Sequence, residues 1–395
     1  MTERLYYKDS YLWQFDAAVT GVKNGKRPGE WEVTLNRSAF YPTSGGQPFD
    51  TGVLSFGKVK AKVTGVEVDP SGEVVHTVDK EIPAGTVVHG EIDGARRTDH
   101  MEQHGGEHML AGAIWEKLGG TTIGLHLGQT ESSIDVSMPD GRTHLTDDEI
   151  TVLENTVNER IRLDAPIRCW FPDEEELKKL PLRKAPTVAE HVRIVAMGDF
   201  EMVACGGTHP SSTGRIGLLK ILSAIPAKGK IRVSFVCGGR AVNLFQTYMR
   251  YADKAGAALS SPVEKLSAAA AELKYRLSEA EKRANRLETR EILAKMEAAE
   301  EELQGVTLCV LTLPETDGRA VTAAVSEYIE TRARAVLLAA GERLTFARAA
   351  DVKIDMNELI KRVARGGGRP DMASGAGIPE CISVAKKILM TEGIG

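Results

Sequence analysis

The sequence predicts an α+β protein with an N-terminal β-barrel, a second α+β domain, a long helical connector and a small C-terminal α/β domain. Three observations lead to this prediction: period-two apolar alternation before residue 95, helical spacing from residue 99 onward, and an Ala-, Glu-, Lys- and Arg-rich composition after Gly238 and Gly239. The predicted domains are 1–95, 96–240, 241–304 and 305–395.

Composition limits the class of protein. The chain has 395 residues, 42% of them hydrophobic, which is more than one core usually serves. Fifty Lys and Arg against 55 Asp and Glu give a formal net charge of −5, so a nucleic-acid-binding surface must be a local basic patch. Five cysteines, an odd number, favour free thiols over a disulfide framework.

Nothing in the sequence suggests a membrane protein. Residues 1–17 lack an apolar region behind a basic head, and no run of 18 apolar residues occurs in the chain. We therefore expect a cytoplasmic protein without a membrane partner.

Residues 1–95 are predicted to form short strands. Apolar and polar residues alternate in Trp31–Leu35 and in Val59–Val63, and the turn-forming runs Lys-Asn-Gly, Ser-Gly-Gly, Asp-Pro-Ser-Gly and Pro-Ala-Gly separate such segments. This pattern is typical of a small barrel or sandwich.

The middle of the chain alternates between helix and strand. Asp99 to about Leu118 has helical spacing, Ser132–Val136 alternates like a strand, and a second helix is predicted from Asp147 to about Leu163. Thr146 and Glu149 form the capping-box pattern at the start of that helix. The residues that give the first helix its spacing are Met101, His104, His108, Ala111 and Trp115.

About sixty residues after Gly239 are predicted to be helical. A heptad seam steps by three and four, slips in register, and then resumes. Two interpretations stay open: an amphipathic helix that packs on its own chain, or an antiparallel or intermolecular coiled coil, which the many alanines of the seam would weaken. The seam residues are Val263, Leu266, Ala270, Leu273, Leu277, Ala280, Ala284 and Leu287, and then Ile292, Met296, Ala299 and Leu303.

The last ninety residues predict a small α/β domain. Val306–Val310, Ala335–Ala339 and Leu344–Ala347 look like buried strands, and helices are expected at about 319–332 and 355–364.

Two pairs of potential metal ligands are each spaced by four residues. The first pair is His104 and His108, and on a helix this spacing places both on one face, where they can reach one ion. The second pair is Cys205 and His209, with Gly206 and Gly207 between them, and we expect these glycines to let the loop turn tightly enough for both side chains to converge. One thiolate and three imidazoles suit Zn²⁺. The set is His104, His108, Cys205 and His209.

The role of such a zinc ion is open at this level. Four protein ligands normally close a structural site, whereas a catalytic site keeps one position for water. His104 to His108 also fits the H-x-x-E-H pattern of inverted zinc proteases, with Glu107 as the base. Two glycines inside the helix and a cysteine ligand weigh against the protease. The other alternative is a structural zinc in a nucleic-acid-binding module without catalysis.

Four sequence motifs occur in order along the chain: Phe40–Gly52 (FYPTSGGQPFDTG), Asp99–Leu110 (DHMEQHGGEHML), Gly124–Gly128 (GLHLG) and Gly198–His209 (GDFEMVACGGTH). They resemble the editing domain of alanyl-tRNA synthetase, and because the chain starts at the barrel without an aminoacylation domain, it resembles the free-standing AlaX editing proteins. The tail Arg365–Ala373 (RGGGRPDMA) is similar to the glycine-rich signature of the synthetase's C-terminal domain, which indicates the long AlaX form.

The resemblance implies hydrolysis of the ester that joins serine, or glycine, to the 3′-terminal ribose of alanine tRNA. A synthetase pocket sized for alanine cannot exclude glycine and rejects serine poorly, so a second site must remove both. The resemblance also implies that Zn²⁺ is held by the four ligands above. It assigns substrate contacts to Thr43, Gly45, Gly46, Gln47 and His126: Gln47 to orient substrate or water, Thr43 to bind the serine hydroxyl, and His126 to lie near the pocket.

Some positions depart from the family pattern. Gly105 stands where Thr or Ser usually follows the first histidine, and Thr43 and Ser44 stand where Glu or Gly is frequent. These differences concern the amino-acid preference, not the reaction. Asp99-His100 lacks the second histidine of a DHH phosphoesterase.

Recognition of tRNA is expected from the C-terminal domain, with the helical segment setting its distance from the zinc site. Cations there combine with glycines that can let phosphates approach backbone amides, although a solvated basic helix end is the alternative. A homodimer through the connector or the C-terminal domain is a further expectation. The proposed tRNA contacts are Lys361, Arg362, Arg365, Gly367, Gly368 and Arg369.

Overall fold

A computed structural model describes residues 1–186 and 191–394. The chain divides into two compact units, Met1–Tyr251 and Ala252–Gly395. The four-part division expected from the sequence stays a prediction. In the described residues, none of the helices has the length and hydropathy needed to cross a bilayer.

A closed six-stranded barrel occupies the start of the first unit, as the alternating pattern predicted. Its strands follow one another around the barrel in the order β2-β3-β7-β6-β5-β8. Inward-facing residues such as Val33, Leu35 and Leu54 are fully buried, because every second side chain of a strand points to the same face. The strands of this region are β1 (Glu3–Arg4), β2 (Gln14–Asn24), β3 (Trp31–Leu35), β4 (Arg37–Ser38), β5 (Gly52–Phe56), β6 (Val59–Val68), β7 (Val74–Val78) and β8 (Val87–Ile92).

A buried histidine lies among the apolar residues of the barrel. His76 Nδ1 is 3.1 Å from the Val33 carbonyl oxygen, and His76 Nε2 is 2.8 Å from Ser38 Oγ, which itself accepts from the Phe40 N–H. The neutral imidazole satisfies all these bonds, with Nδ1–H donating to the carbonyl and Nε2 accepting from the hydroxyl. Burial lowers the pKa of His76 to about 4.

Helix α1 (Gly94–Leu118) begins five residues before the Asp99 start that the apolar spacing predicted. The first turn is polar and therefore lacks an apolar repeat, but the Asp93 side chain accepts from the Arg96 N–H and caps the helix. The helix ends at Gly119, whose φ of +67° is left-handed.

A fully buried ion pair connects the barrel to α1. Arg97 Nε lies 3.0 and 2.9 Å from the two carboxylate oxygens of Asp50, and both side chains have no exposed surface. The remaining Arg97 nitrogens donate to the carbonyl oxygens of Ser10 and Ala39, while Asp50 accepts from the Tyr41 N–H. Every donor group of this guanidinium is thus directed at the barrel, which fixes the first turns of α1 against it.

Two further sheets complete the first unit. A four-stranded sheet has the order β14-β15-β10-β9, and a three-stranded sheet has the order β11-β12-β13. Helix α2 starts at the predicted residue, and its Thr146–Glu149 capping box is formed. These elements are β9 (Thr121–Leu127), β10 (Ser132–Ser137), α2 (Asp147–Arg162), β11 (Ile167–Trp170), α3 (Glu174–Leu177), β12 (Ile194–Met197), β13 (Glu201–Ala204), β14 (Leu219–Ala227) and β15 (Lys230–Cys237).

The helical segment is two helices, not one. Helix α4 (Gly238–Leu259) and helix α5 (Leu266–Ala298) are separated at Ser260, whose φ is +50°, and at Pro262, which has no backbone N–H. In α5, Ile292 and Met296 are buried against the C-terminal core, which agrees with packing on the chain's own residues there. Residues of the first part of the seam, for example Leu273, Leu277 and Leu287, are exposed.

The second unit contains a mixed six-stranded sheet with helices in the region where the sequence predicted a small α/β domain. Its sheet has the order β16-β17-β18-β19-β21-β20, in which only the β17–β18 pair is parallel among the described strands. The three expected strands are present, whereas β16, β20, β21 and α8 were not predicted. The elements are β16 (Glu300–Leu303), β17 (Val306–Leu313), α6 (Gly318–Tyr328), β18 (Arg334–Ala340), β19 (Arg343–Arg348), α7 (Met356–Val363), β20 (Arg365–Gly368), β21 (Met372–Ala376) and α8 (Glu380–Glu392).

The buried His76 is expected to make the first unit acid-sensitive. Because its pKa falls on folding from 6.5 to about 4, its contribution to stability is fully present above pH 6.5 and is lost as the pH falls toward 4. When the pH is lowered from 7 to 5, the free energy of unfolding measured with urea should fall by about 2 kcal/mol more for wild type than for His76→Gln. An equal pH dependence for the two proteins would contradict this assignment.

Breaking the Asp50–Arg97 pair should destabilise the first unit strongly. Arg97→Met leaves the buried Asp50 carboxylate without its cation, and the expected loss is about 3–5 kcal/mol by chemical denaturation. Arg27→Met, which removes the exposed partner of Glu30, serves as the control and should cost less than about 1 kcal/mol. The double variant Asp50→Leu/Arg97→Met should be more stable than Arg97→Met alone, since no unpaired charge remains.

Candidate metal centre and active site

Four side chains from two distant segments meet beside the barrel. The potential ligand atoms of His104, His108, Cys205 and His209 all lie within 4.8 Å of one another. Cys205 Sγ is 3.5 Å from His104 Nε2 and 3.3 Å from His209 Nε2. The structure therefore brings together the four residues that the sequence indicated, two from α1 and two from the loop after β13.

The donor set fits a zinc ion. Both ring nitrogens of His108 and the Nδ1 atom of His209 are buried, and in the described part of the chain they have no hydrogen-bond partner. Buried polar atoms without partners are rare, and a shared cation would satisfy one ring nitrogen of each imidazole. Three imidazoles and one thiolate match the ligands and the four-coordinate geometry that zinc prefers.

Burial sets the protonation of these groups. It lowers the pKa of His104 to about 3, and it lowers the pKa values of His108 and His209 well below the usual range. The imidazoles are therefore neutral, which is the form that binds a metal. Burial raises the pKa of Cys205 to about 12. A thiolate at that position needs a cation beside it, which a bound metal would supply.

Gln47 supports the metal centre from the barrel. Its side chain is fully buried, and its Oε1 atom lies 2.9 Å from His104 Nδ1. Oε1 also accepts from the Thr208 N–H at 3.1 Å, and Gln47 Nε2 donates to Thr208 Oγ1 at 2.8 Å. Because an amide oxygen can only accept, His104 carries its proton on Nδ1 and presents Nε2 to the cluster.

Gly207 is required by close packing. A Cβ atom on this residue would lie 2.1 Å from His104 Cε1, so any side chain would displace the histidine. Neither Gly206 nor Gly207 has a positive φ, and close packing accounts for Gly207 alone, so the role of both glycines in a tight turn stays a prediction.

Arg193 holds the same loop, and sequence reasoning missed it. Its Nη1 atom donates to the carbonyl oxygens of Cys205 and Gly207 at 3.0 and 2.9 Å, and its guanidinium lies 5.2 Å from the centre of the Tyr7 ring. No spacing rule connects an arginine at the start of β12 with a loop twelve residues later, so the sequence carried no signal for this role.

The Ser44–Gln47 segment is a tight hairpin turn that reaches the metal centre. Gly45 and Gly46 have φ values of +57° and +86°, and Ser44 and Gln47 pair across the turn. The Gly46 carbonyl oxygen accepts from the Leu127 N–H at 3.2 Å. A Cβ on Gly46 would lie 2.7 Å from the Leu125 carbonyl oxygen, so this contact with β9 also requires glycine.

An open cleft of about 330 Å³ exposes one side of the cluster. Burial raises the pKa of Glu107, in its wall, to about 7. Arg183 is also in the wall and donates to both carboxylate oxygens of the buried Glu201. The cleft combines the potential metal ligands with one acidic and two basic side chains; its lining includes Gly45, His104, Glu107, His108, Leu125, Arg183, Lys184 and Cys205.

The remaining substrate-contact candidates lie around this cleft. Gly45 lines it, whereas the exposed Thr43 bonds through its N–H to the Val66 carbonyl oxygen and is outside the described lining. His126 is on β9, next to Leu125, and is also outside that lining.

The two glycines between His104 and His108 belong to the helix. A Cβ on Gly106 would lie 2.1 Å from Cys237 Sγ, and a Cβ on Gly105 would lie 3.0 Å from Ile216 Cγ1. Close packing against β15 and the 213–216 turn thus accounts for both residues. A larger residue at Gly105 would require Ile216 to move by a few tenths of an ångström.

The expected tRNA contacts are in the second unit, at the end of α7 and in β20. Lys361 pairs with Glu358 at 2.9 Å, Arg362 with both oxygens of Glu392 at 2.7 Å, and the Gly368 N–H donates to Asn357 Oδ1. Three further candidates lie beside them. Gly367 is in β20 with Arg365, and Arg369 lies within 3.2 Å of Asp371.

Gln47 is expected to tune metal affinity. Gln47→Leu removes the acceptor for His104 Nδ1–H and should weaken zinc binding about 10–100-fold in a chelator competition. Gln47→Glu keeps the acceptor and should retain nearly all of the affinity. Equal affinity for wild type and Gln47→Leu would show that the hydrogen bond does not support the metal.

Two sequence families match parts of the chain. Residues 192–234 match the family described as threonyl and alanyl tRNA synthetase second additional domain. Residues 4–96 match the family described as tRNA synthetases class II (A). The first match contains the cysteine and histidine of the loop after β13, and the second contains the barrel.

The chain is also similar to alanine–tRNA ligases and, over a third of its length, to a solved structure. Alanine–tRNA ligases of Pyrococcus abyssi and Archaeoglobus fulgidus are 29% and 33% identical over 95% of this chain, which spans 42% of each ligase. A solved structure of RecJ from Thermus thermophilus in complex with Mn²⁺ matches 33% of this chain and 19% of that one, with 22% identity. The TM-score of 0.25 is too low to show a shared fold.

The alanyl-tRNA editing protein AlaX-L of Pyrococcus horikoshii matches along nearly its whole length. It is 31% identical over 401 residues, which cover 95% of this chain and 94% of that protein. This chain therefore belongs to the AlaX-L family of alanyl-tRNA editing proteins.

Proposed function

We propose that this chain is a trans-editing hydrolase that releases serine, and also glycine, from mischarged tRNA(Ala). Support comes from a relative named as an alanyl-tRNA editing protein that matches over almost its full length. Further support comes from the chemistry of the site, because a Cys-His₃ cluster in a cleft suits zinc-dependent cleavage of an ester.

The observation that carries the proposal is the position of the cluster in the wall of an open cleft. His104, His108 and Cys205 all line this cleft, so a small ester can approach them. When zinc is bound there, it supplies a Lewis acid that can polarise the ester carbonyl or activate water. A purely structural zinc would be closed off by its four ligands.

The residues around the cluster have distinct proposed roles. Gln47 orients His104, since the buried amide has no surface left for a substrate. Gly45 offers backbone to the substrate at the edge of the cleft. Thr43 and His126 remain proposed substrate contacts because each lies within two residues of a cleft residue.

The second unit is proposed to bind the tRNA. Arg365 favours this role because it is exposed and, in the described residues, has no carboxylate within ion-pair distance. Lys361, Arg362 and Arg369 each have an acidic partner that a phosphate would have to replace. The exposed apolar seam of α5 supports the proposed homodimer.

The alternative is a zinc-containing tRNA-binding module without catalysis. It uses the same cluster and the same basic residues, so binding alone cannot separate the two functions. Turnover can.

The decisive measurement is the release of labelled serine from Ser-tRNA(Ala), with Ala-tRNA(Ala) as the competing substrate. We expect wild type to release serine and spare alanine, and Cys205→Ala to lose serine release together with zinc. Cys381→Ala, which changes a partly buried cysteine of the second unit, is the matched control and should behave as wild type. A wild-type protein that binds the tRNA but releases no serine would favour the binding module.

A further inference from the structure

Among the described residues, the cleft carboxylate of Glu107 has no hydrogen-bond donor. Glu107 lies on α1 between His104 and His108, lines the cleft, and is only 7% exposed. His108 Nε2 lies 3.9 Å from a Glu107 carboxylate oxygen, which is beyond hydrogen-bond distance, and that imidazole is neutral. Within residues 1–186 and 191–394, no donor bonds to the Glu107 side chain. A buried carboxylate in this situation favours a cationic donor that arrives from the cleft.

The other charged groups of the described cleft lining are Arg183 and Lys184, and neither forms an ion pair with Glu107 there. Arg183 gives its Nε–H to both oxygens of Glu201, at 3.0 and 2.8 Å, and its backbone N–H donates to the Met202 carbonyl oxygen. The Lys184 side chain is exposed. In the described part of the cleft, Glu107 is therefore the one carboxylate without an ion-pair partner of its own.

We infer that the Glu107 carboxylate binds the α-ammonium group of the aminoacyl ester. The inference rests on the proposed function, because an aminoacyl ester carries a protonated amine two bonds from its carbonyl carbon. A substrate whose carbonyl is beside the metal-ligand cluster thus brings its ammonium group to the same end of the cleft, where Glu107 lines the wall. This contact recognises any free aminoacyl group and rejects N-blocked ones, and it does not separate serine from alanine.

The H-x-x-E-H pattern gives a competing role for the same side chain. As a general base, Glu107 would take a proton from the attacking water, whatever substituent the substrate nitrogen carries. The ammonium contact requires the charged amine, so the two roles differ in their dependence on that nitrogen.

Binding of two stable ligands tests the contact without turnover. The ligands are adenosine carrying serine through a 3′-amide bond, and the same compound with its serine nitrogen acetylated. Titration calorimetry of the zinc-loaded full chain should give wild type a preference for the free amine of at least roughly tenfold. Glu107→Gln should lower this preference to about one, chiefly by weakening the free-amine ligand, and Glu107→Asp should restore part of it.

Glu102→Gln is the matched control on the same helix. Glu102 accepts from the Gly239 N–H and lines a different groove, so its variant should keep the wild-type preference. The inference is overturned if Glu107→Gln weakens both ligands equally, or if it reduces the zinc content, because the carboxylate would then serve the fold or the metal.

Hydrolysis separates this inference from the proposed function. Wild type should release serine from Ser-tRNA(Ala) at least roughly tenfold faster than acetylserine from N-acetyl-Ser-tRNA(Ala). Equal rates overturn the ammonium contact and leave the editing function intact. Preferred binding of the free-amine ligand without any serine release overturns the editing function and supports the contact.

Discussion

Asp50 and Arg97 lie where the barrel meets helix α1, and neither side chain has any exposed surface. Their ion pair, with the carbonyl oxygens that Arg97 also bonds, fixes the helix two turns before His104. Three residues before Asp50, Gln47 extends from the same barrel segment and bonds to His104. The buried pair thus sets the distance between a turn of the barrel and the helix that carries half of the metal ligands.

The candidate metal centre consists of buried polar groups that are unfavourable without a hydrogen-bond partner or a metal. Two of its buried imidazoles, His108 and His209, contain ring nitrogens that the described protein leaves without partners, and burial raises the pKa of the Cys205 thiol. Contacts from outside the ligand set hold them in position: Gln47 on His104, and Arg193 on the carbonyl oxygens of the cysteine loop. Such outer contacts keep ligands oriented before a metal binds, which reduces the reorganisation that binding requires.

Glycine at this site serves contact distance more often than backbone freedom. Gly106 and Gly207 have ordinary φ values, yet a Cβ atom on either would lie 2.1 Å from Cys237 Sγ or His104 Cε1. Gly46 combines both reasons, since its φ is +86° and it lies against β9. The adjacent Gly105 and Gly106 of α1 lower helix propensity, and the packing of the helix on β15 compensates for that loss.

The sequence by itself determined the features that depend on local pattern. Period-two alternation predicted the barrel strands, the Thr146–Glu149 box placed the start of α2, and the spacing of four identified two pairs of side chains that could hold a metal ion, because each is set by residues close together in the chain. Only the tertiary structure decided which distant groups meet. The bonds from Arg193 to the cysteine loop, the burial of Gln47 and the lack of a hydrogen-bond donor to Glu107 in the described residues depend on contacts between remote segments, and no local spacing encodes those contacts.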